Sequence, residues 1–178
     1  MKELSQGVLE RARRIRLMIF DVDGVLTDGT LWYGAEGEEV KAFHACDGHG
    51  LKMLAASGVG CALLSGRRSA AVATRAAELG IKLVVQGAEV KLEAFQELLR
   101  TNNLEPEQAG YMGDELVDLP VLTRCGFACA PREAPEAVRR RVHYLAAAPA
   151  GRGAAREVCE LVMRAQGSFE RLLQGYLA

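Results

Sequence analysis

The chain has no long apolar runs. None of them reaches the roughly 18 residues of a membrane-spanning helix, so no membrane partner is expected. Net charge is nearly absent: 22 Lys and Arg against 23 Asp and Glu leave −1. That balance excludes the basic footprint of a nucleic-acid partner. Paired cysteines are missing too. Cys46, Cys61, Cys125, Cys129 and Cys159 are odd in number and form no C-x-x-C motif. Four of them sit in apolar or helical surroundings, which reads as reduced thiols rather than a disulfide framework. Residues 1–14 are basic and charged, without the apolar stretch of a signal peptide, and the cytoplasm is the expected location. The remaining composition is that of an ordinary folded protein, 49% hydrophobic and 25% charged. Residues 1–178 suffice for one domain with a sizeable core.

Strand-like and helix-like segments alternate. Residues 4–14 have the pattern of a short amphipathic helix, and 16–20 that of a buried strand. Further strands are expected at 59–64, 81–85, 109–112 and 127–130. Helices are expected at 48–57, 69–79, 90–99, 115–123, 153–164 and 168–177. Leu51, Leu54 and Ala55 share one face of the first of these, and Leu92, Phe95, Leu98 and Leu99 face inward from the third. Gly80 ends the 69–79 helix as a C-cap. The alternation argues for an α/β fold, a parallel sheet with helices on both faces. In such sheets ligands bind beyond the carboxyl ends of the strands. Asp21, Ser65, Gly87 and Gly113-Asp114 all directly follow strands, so all four should open onto one crevice.

One segment breaks the alternation. Residues 30–43 read as two short strands around the turn Gly34-Ala35-Glu36-Gly37. Inserted after the first strand, this hairpin cannot belong to a parallel sheet. Trp32, Tyr33, Val40 and Phe43 give it an apolar face that one hairpin cannot bury alone. The expected partner is another copy of the chain.

The chemistry begins at Asp21-Val22-Asp23-Gly24-Val25-Leu26-Thr27-Asp28-Gly29, at the end of the first strand. Two carboxylates two residues apart suit a divalent cation, and oxygen ligands favour Mg²⁺ over zinc. An acidic surface turn is the plain alternative. Asp21 is the candidate nucleophile, since a carboxylate can attack phosphorus and form an aspartyl-phosphate. Asp23 is placed to protonate the leaving alkoxide and then to activate water. Ser65-Gly66-Arg67 offers a hydroxyl and free amides to phosphate oxygens, although Ser-Gly is also a common turn. Lys91 stands at a helix start, which the helix dipole disfavours; a phosphate-directed ammonium would explain it, as would a solvated lysine. Asp114, Glu115 and Asp118 follow the fourth strand and can complete a cation site, with Asp114 the best ligand candidate. Acidic residues are favoured at a helix N-terminus in any case.

The order Asp-x-Asp, Ser-Gly, Lys, Gly-Asp after successive strands resembles the haloacid dehalogenase superfamily of phosphohydrolases. The resemblance implies a Rossmann-like fold, a Mg²⁺ cofactor, Asp21 as nucleophile, Asp23 as acid/base and Lys91 in the catalytic set. It implies a cation held by the Asp21 side chain, the Asp23 carbonyl and Asp114. The strings GEEVKAF, DGHGLKML, SGRRS, QGAEVKL and GDELVDLPVL, with the tail from Gly151 to Gly167, resemble the 3-deoxy-D-manno-octulosonate 8-phosphate phosphatases. That family is capless and forms homotetramers through the inserted hairpins, with neighbouring subunits closing each site. The resemblance implies a phosphorylated sugar acid as substrate, in lipopolysaccharide synthesis. Arginine suits a carboxylate. Arg67 matches the family's arginine, where phosphatases of nine-carbon keto acids commonly have Glu. Lys41, Arg75 and the tail residues Arg152 or Arg156 are further substrate candidates, with Glu115 and Asp118 supporting the cation site from behind. Two positions depart from the family pattern, Glu115 in place of Asp and Cys46 in place of Arg. A nine-carbon keto acid phosphate, another small sugar phosphate, or a non-catalytic oligomerisation module are the alternatives. His44 and His49 flank the hairpin exit and could line the pocket mouth; His143 is expected to face solvent.

Overall fold

The computed structural model describes residues 5–177. The strands are β1 (Leu17–Phe20), β2 (Trp32–Tyr33), β3 (Glu39–Val40), β4 (Gly60–Ser65), β5 (Leu83–Gln86), β6 (Ala109–Met112), β7 (Phe127–Ala130) and β8 (Tyr144–Leu145). The α-helices are α1 (Gln6–Arg13), α2 (Ala45–Ala56), α3 (Ala70–Leu79), α4 (Lys91–Thr101), α5 (Leu119–Leu122), α6 (Glu136–Arg139), α7 (Ala154–Ala165) and α8 (Phe169–Leu177). Six strands form one parallel sheet in the order β5-β4-β1-β6-β7-β8. The chain runs outward from β1 on one side through β4 and β5, then returns to its other side through β6, β7 and β8. That reversal puts the ligand crevice at the carboxyl end of β1.

Alternate side chains of the buried strands feed two cores. Met18, Phe20, Cys61, Leu63, Phe127 and Cys129 face one, covered by α1, α2, α3, α7 and α8. Leu17, Ile19, Ala62, Leu64, Tyr111 and Ala128 face the other, covered by α4, α5 and α6. Strands buried on both faces carry continuous apolar runs, which is why the expected α/β fold could be read from the sequence.

Helices α2 and α7 lie in direct contact because residue 50 is glycine. A Cβ there would stand 2.9 Å from the Arg156 Cα. Nearby, Asp47 accepts the Gly153 N–H at 3.0 Å and the Arg156 N–H at 2.8 Å. Gly153, the N-cap of α7, has no side chain to satisfy those amides, and a carboxylate more than a hundred residues earlier does so instead.

Several expected boundaries move. The helix expected at 4–14 begins outside the described residues at its first position and is observed from Gln6. Helix α2 starts at Ala45 rather than 48, because the His44 ring accepts the Cys46 N–H and opens the helix earlier. Met53, not Ala55, joins Leu51 and Leu54 in the core, and Ala55 is exposed. Strand β5 lies two residues later than its expected start. The 115–123 segment is a 3₁₀ turn (Leu116–Asp118) running into the single turn α5, since Pro120 lacks the amide a longer helix would need. Strand β8 was not expected; two half-exposed residues leave little pattern to read. The 30–43 hairpin is present outside the central sheet, pairing Trp32 with Val40 and Tyr33 with Glu39. Phe43 is not part of its exposed face, because it packs against the core beside Arg75. All five cysteines are free, Cys46 exposed and the others buried. Among the described residues no helix is long and apolar enough to cross a membrane.

Candidate active site

The carboxyl ends of β1, β4 and β6 open into a cleft of about 290 Å³. Asp21, Asp23, Ser65, Gly66, Arg67, Lys91, Asp114 and Glu115 all line it. Asp21 follows β1 directly, and its N–H donates to the Met112 carbonyl at 2.9 Å. One carboxylate oxygen accepts the Val22 N–H at 2.7 Å; the other meets the Lys91 Nζ at 2.6 Å. The chain then turns sharply. Gly24 adopts φ +78°, and a Cβ at that position would stand 2.0 Å from an Asp114 carboxylate oxygen. Only glycine allows the first motif and Asp114 to lie this close. Thr27 closes the loop, its buried hydroxyl accepting the Gly24 and Gly29 amides at 3.4 and 3.2 Å.

Lys91 is the first residue of α4, and it is buried. Its ammonium bridges Asp21 and Asp118, each at 2.6 Å. Burial works against that charge, but the two carboxylates outweigh it and hold the lysine above its ordinary range. Asp118 is fully buried with both oxygens engaged. Oδ1 accepts Lys91 and the Tyr111 hydroxyl, the latter at 2.6 Å, and Oδ2 accepts the Asp114 and Glu115 amides, both at 3.1 Å.

Carboxylate oxygens of Asp21, Asp114 and Asp118 lie within 4.8 Å of one another. One lysine cannot neutralise three carboxylates. Burial, then the charges of Asp21 and Asp118, pushes the Asp114 carboxyl up to about 7. Burial likewise raises Asp21, to about 6, against the pull of Lys91. Asp114 Oδ1 is buried without a hydrogen-bond partner. A free oxygen aimed into an acidic, oxygen-lined cleft fits a hard divalent cation, which would offset the crowded charge. Each Asp118 oxygen already accepts two hydrogen bonds, whereas each Asp21 oxygen accepts one and Asp114 Oδ1 none, so Asp21 and Asp114 are the side chains with capacity left to bind it.

At the mouth of the cleft the hairpin reaches the first motif. Lys41 is ion-paired with both Asp23 and Glu39. Arg67 donates from Nη2 to Glu39 Oε2 and to the Tyr33 hydroxyl, both at 2.9 Å, and its Nε lies 3.9 Å from Asp23 Oδ2. Ser65 is buried, and its hydroxyl accepts the Arg67 N–H at 3.2 Å.

The structure therefore brings together Asp21, Asp23, Lys41, Ser65, Gly66, Arg67, Lys91, Asp114, Glu115 and Asp118. Arg75 and Arg152 do not line the cleft of their own chain. Arg75 pairs with Glu78 at 3.1 Å and lies 6.0 Å from the Phe43 ring. Arg152 is exposed on the turn that packs beneath Thr27 and Asp28. His44 caps α2, His49 meets Tyr176 edge-on, and neither lines the cleft. His143 does not face solvent: it is half-buried, and its Nδ1 accepts the Ala128 N–H at 2.8 Å. Sequence reasoning missed Tyr111, Glu39, Tyr33 and Asp47. The sole sequence signal for Glu39 is its place in an acidic pair before Lys41.

Comparison with known proteins gives a consistent picture. No family model matches the chain. A curated relative, the 3-deoxy-D-manno-octulosonate 8-phosphate phosphatase of Yersinia pestis, is 42% identical over 167 residues, covering 94% of this chain and 89% of that protein. A probable YrbI family phosphatase from Pseudomonas syringae superposes with a TM-score of 0.96 at 47% identity, covering 98% of this chain and 99% of that one. The 3-deoxy-D-manno-octulosonate 8-phosphate phosphatase of Moraxella catarrhalis, solved with magnesium, phosphate and the sugar acid, superposes with a TM-score of 0.93. It is 39% identical, with 95% of this chain and 97% of that chain covered.

Proposed function

The chain belongs to the 3-deoxy-D-manno-octulosonate 8-phosphate phosphatases of the haloacid dehalogenase superfamily, and on that premise we propose that it removes the phosphate from this eight-carbon sugar acid with Mg²⁺ as cofactor. The observation that carries the reading is the buried Asp21–Lys91–Asp118 chain beside the unpartnered Asp114 oxygen.

Asp21 is the nucleophile. Its carboxylate is held by the Val22 amide and by Lys91, which orient it for attack on phosphorus. Asp23 protonates the departing alkoxide, then takes a proton from the water that hydrolyses the aspartyl-phosphate. Lys91 and the Ser65-Gly66 turn bind the phosphoryl oxygens. Asp21, the Asp23 carbonyl and Asp114 would hold Mg²⁺. Once bound, the ion offsets the repulsion between carboxylate and phosphate. Asp118 keeps Lys91 in place, and Glu115 supports the cation site from the rim. Arg67, with Lys41 beside it, receives the carboxylate of the sugar acid.

The reading takes residues 1–178 as one capless phosphatase domain acting in the cytoplasm, where its five free thiols stay reduced. It also takes the chain as a homotetramer joined through the hairpin. Trp32 is 60% exposed, Tyr33 59% and Val40 54%, an apolar face that self-association would bury. Arg75 and Arg152 are then substrate contacts completed by a neighbouring subunit.

A substrate panel tests the assignment. Purified enzyme with Mg²⁺ should release phosphate from 3-deoxy-D-manno-octulosonate 8-phosphate with a higher kcat/KM than from the nine-carbon KDN 9-phosphate. The reverse order would overturn the eight-carbon assignment.

A further inference from the structure

Among the described residues Arg67 is the sole arginine lining the cleft, and two residues of the inserted hairpin hold it. An arginine side chain on a loop is free to adopt many rotamers, and ordering it on binding costs affinity. Here one terminal nitrogen, Nη2, is fixed at two points, Glu39 Oε2 and the Tyr33 hydroxyl, each 2.9 Å away. Tyr33 and Glu39 sit opposite one another in the β2–β3 pairing, so both contacts come from one rung of the hairpin. Glu39 is in turn anchored by Lys41, whose side chain is almost wholly buried and also pairs with Asp23. The other guanidinium terminus, Nη1, has no protein partner among the described residues, and Arg67 stays 43% exposed at the side chain. An arginine held at one nitrogen with another free suits a planar anion arriving from the cleft.

We propose that Tyr33 and Glu39 are positioning residues that fix the Arg67 guanidinium over the cleft, and so set selectivity for phosphate esters carrying a second, carboxylate group. This rests on the reading of the substrate as a phosphorylated sugar acid. It also gives the hairpin a role inside its own subunit, separate from self-association. The hairpin and the Ser65-Gly66-Arg67 turn meet only in the folded chain, so a shift of the hairpin moves the selectivity arginine along with it.

The test compares two esters, 3-deoxy-D-manno-octulosonate 8-phosphate and p-nitrophenyl phosphate, which lacks the carboxylate. Two variants weaken the hold and a third, Glu39→Asp, restores the charge. Tyr33→Phe removes one hold on Arg67 without changing charge; Glu39→Gln removes the charge but keeps the shape. Each should raise KM for the sugar acid about 2- to 5-fold more than KM for p-nitrophenyl phosphate, the size of an exposed charged hydrogen bond. Glu39→Asp should recover part of the loss. Equal changes on both esters would mean a merely structural role and overturn the proposal. So would a lower sugar-acid KM in Glu39→Gln, because Glu39 would then compete with the substrate for Arg67. If the wild type itself shows no preference for the carboxylate ester, the substrate reading fails first and takes the proposal with it. A wild-type preference left intact in both variants overturns the proposal alone.

Discussion

Lys91 and Asp118 meet at 2.6 Å inside the protein, and the Asp118 oxygen that accepts the ammonium also accepts the Tyr111 hydroxyl. The position of the lysine is therefore set from behind, by the sheet, before any substrate arrives. Breaking a buried pair by removing one partner costs about 3–5 kcal/mol, because a charge is left uncompensated. Asp118→Asn retains the shape but weakens the hold on Lys91 and on the Asp114 and Glu115 amides. Its kcat should fall about 100-fold, with a lower melting temperature. Steady-state kinetics and thermal melts check this. A wild-type kcat in Asp118→Asn would show that the charge of Asp118 does not position Lys91.

Gly24 provides a test of the cation site. Its φ of +78° strains any other residue, and a Cβ would collide with the Asp114 carboxylate at 2.0 Å. Gly24→Ala should raise the Mg²⁺ concentration needed for half-maximal activity about 10- to 100-fold, the usual range when support of a metal ligand is lost. Activity titrated against Mg²⁺ gives the number. Lost thermal stability with unchanged Mg²⁺ dependence would contradict the assignment of Asp114 as a ligand.

What the sequence made legible follows from physical range. Apolar runs and α-helical periodicity are local, so the parallel sheet, β6, β7 and the Gly80 cap could be read directly. The Asp21 and Asp114 motifs were legible because each sits at a strand end, where topology forces convergence, and Lys91 because it opens the helix that follows β5. Tyr111 was hidden, because a tyrosine in a buried strand looks like core until the fold places its hydroxyl against Asp118. Asp47 was hidden for the same reason, since the helix end it caps lies more than a hundred residues away. The clamp on Arg67 depends on where the hairpin folds back, which no local pattern encodes.

His143 gives the fold a pH dependence separate from the cleft. Burial, with Arg11 nearby, lowers its pKa below the ordinary 6.5, and its unprotonated Nδ1 accepts the Ala128 amide. As pH falls through 6.5 the unfolded chain takes up the proton first. The stability from the neutral ring is thus complete above pH 6.5 and is lost as pH falls toward the lower folded-state value. Between pH 7.5 and 5.5 the wild type should lose more melting temperature than His143→Asn. Equal losses would remove His143 from the account.

The hairpin face yields a prediction about assembly. Trp32 and Val40 pair across the hairpin and are 60% and 54% exposed. Replacing both with Ser should leave the fold of one chain nearly unchanged, since exposed substitutions stay within about 0.5 kcal/mol. If the proposed homotetramer forms through this face, the double variant should sediment as smaller species than the wild type. An unchanged sedimentation coefficient would overturn association through the hairpin.

The central claim is that Asp21 attacks phosphorus. Its most direct test is phosphate release from 3-deoxy-D-manno-octulosonate 8-phosphate with Mg²⁺ by the wild type and by Asp21→Asn. The account predicts steady turnover by the wild type and a loss of at least about 1,000-fold in the variant, as for removal of a nucleophile. Turnover by Asp21→Asn at the wild-type rate, or no release by the wild type, would contradict it.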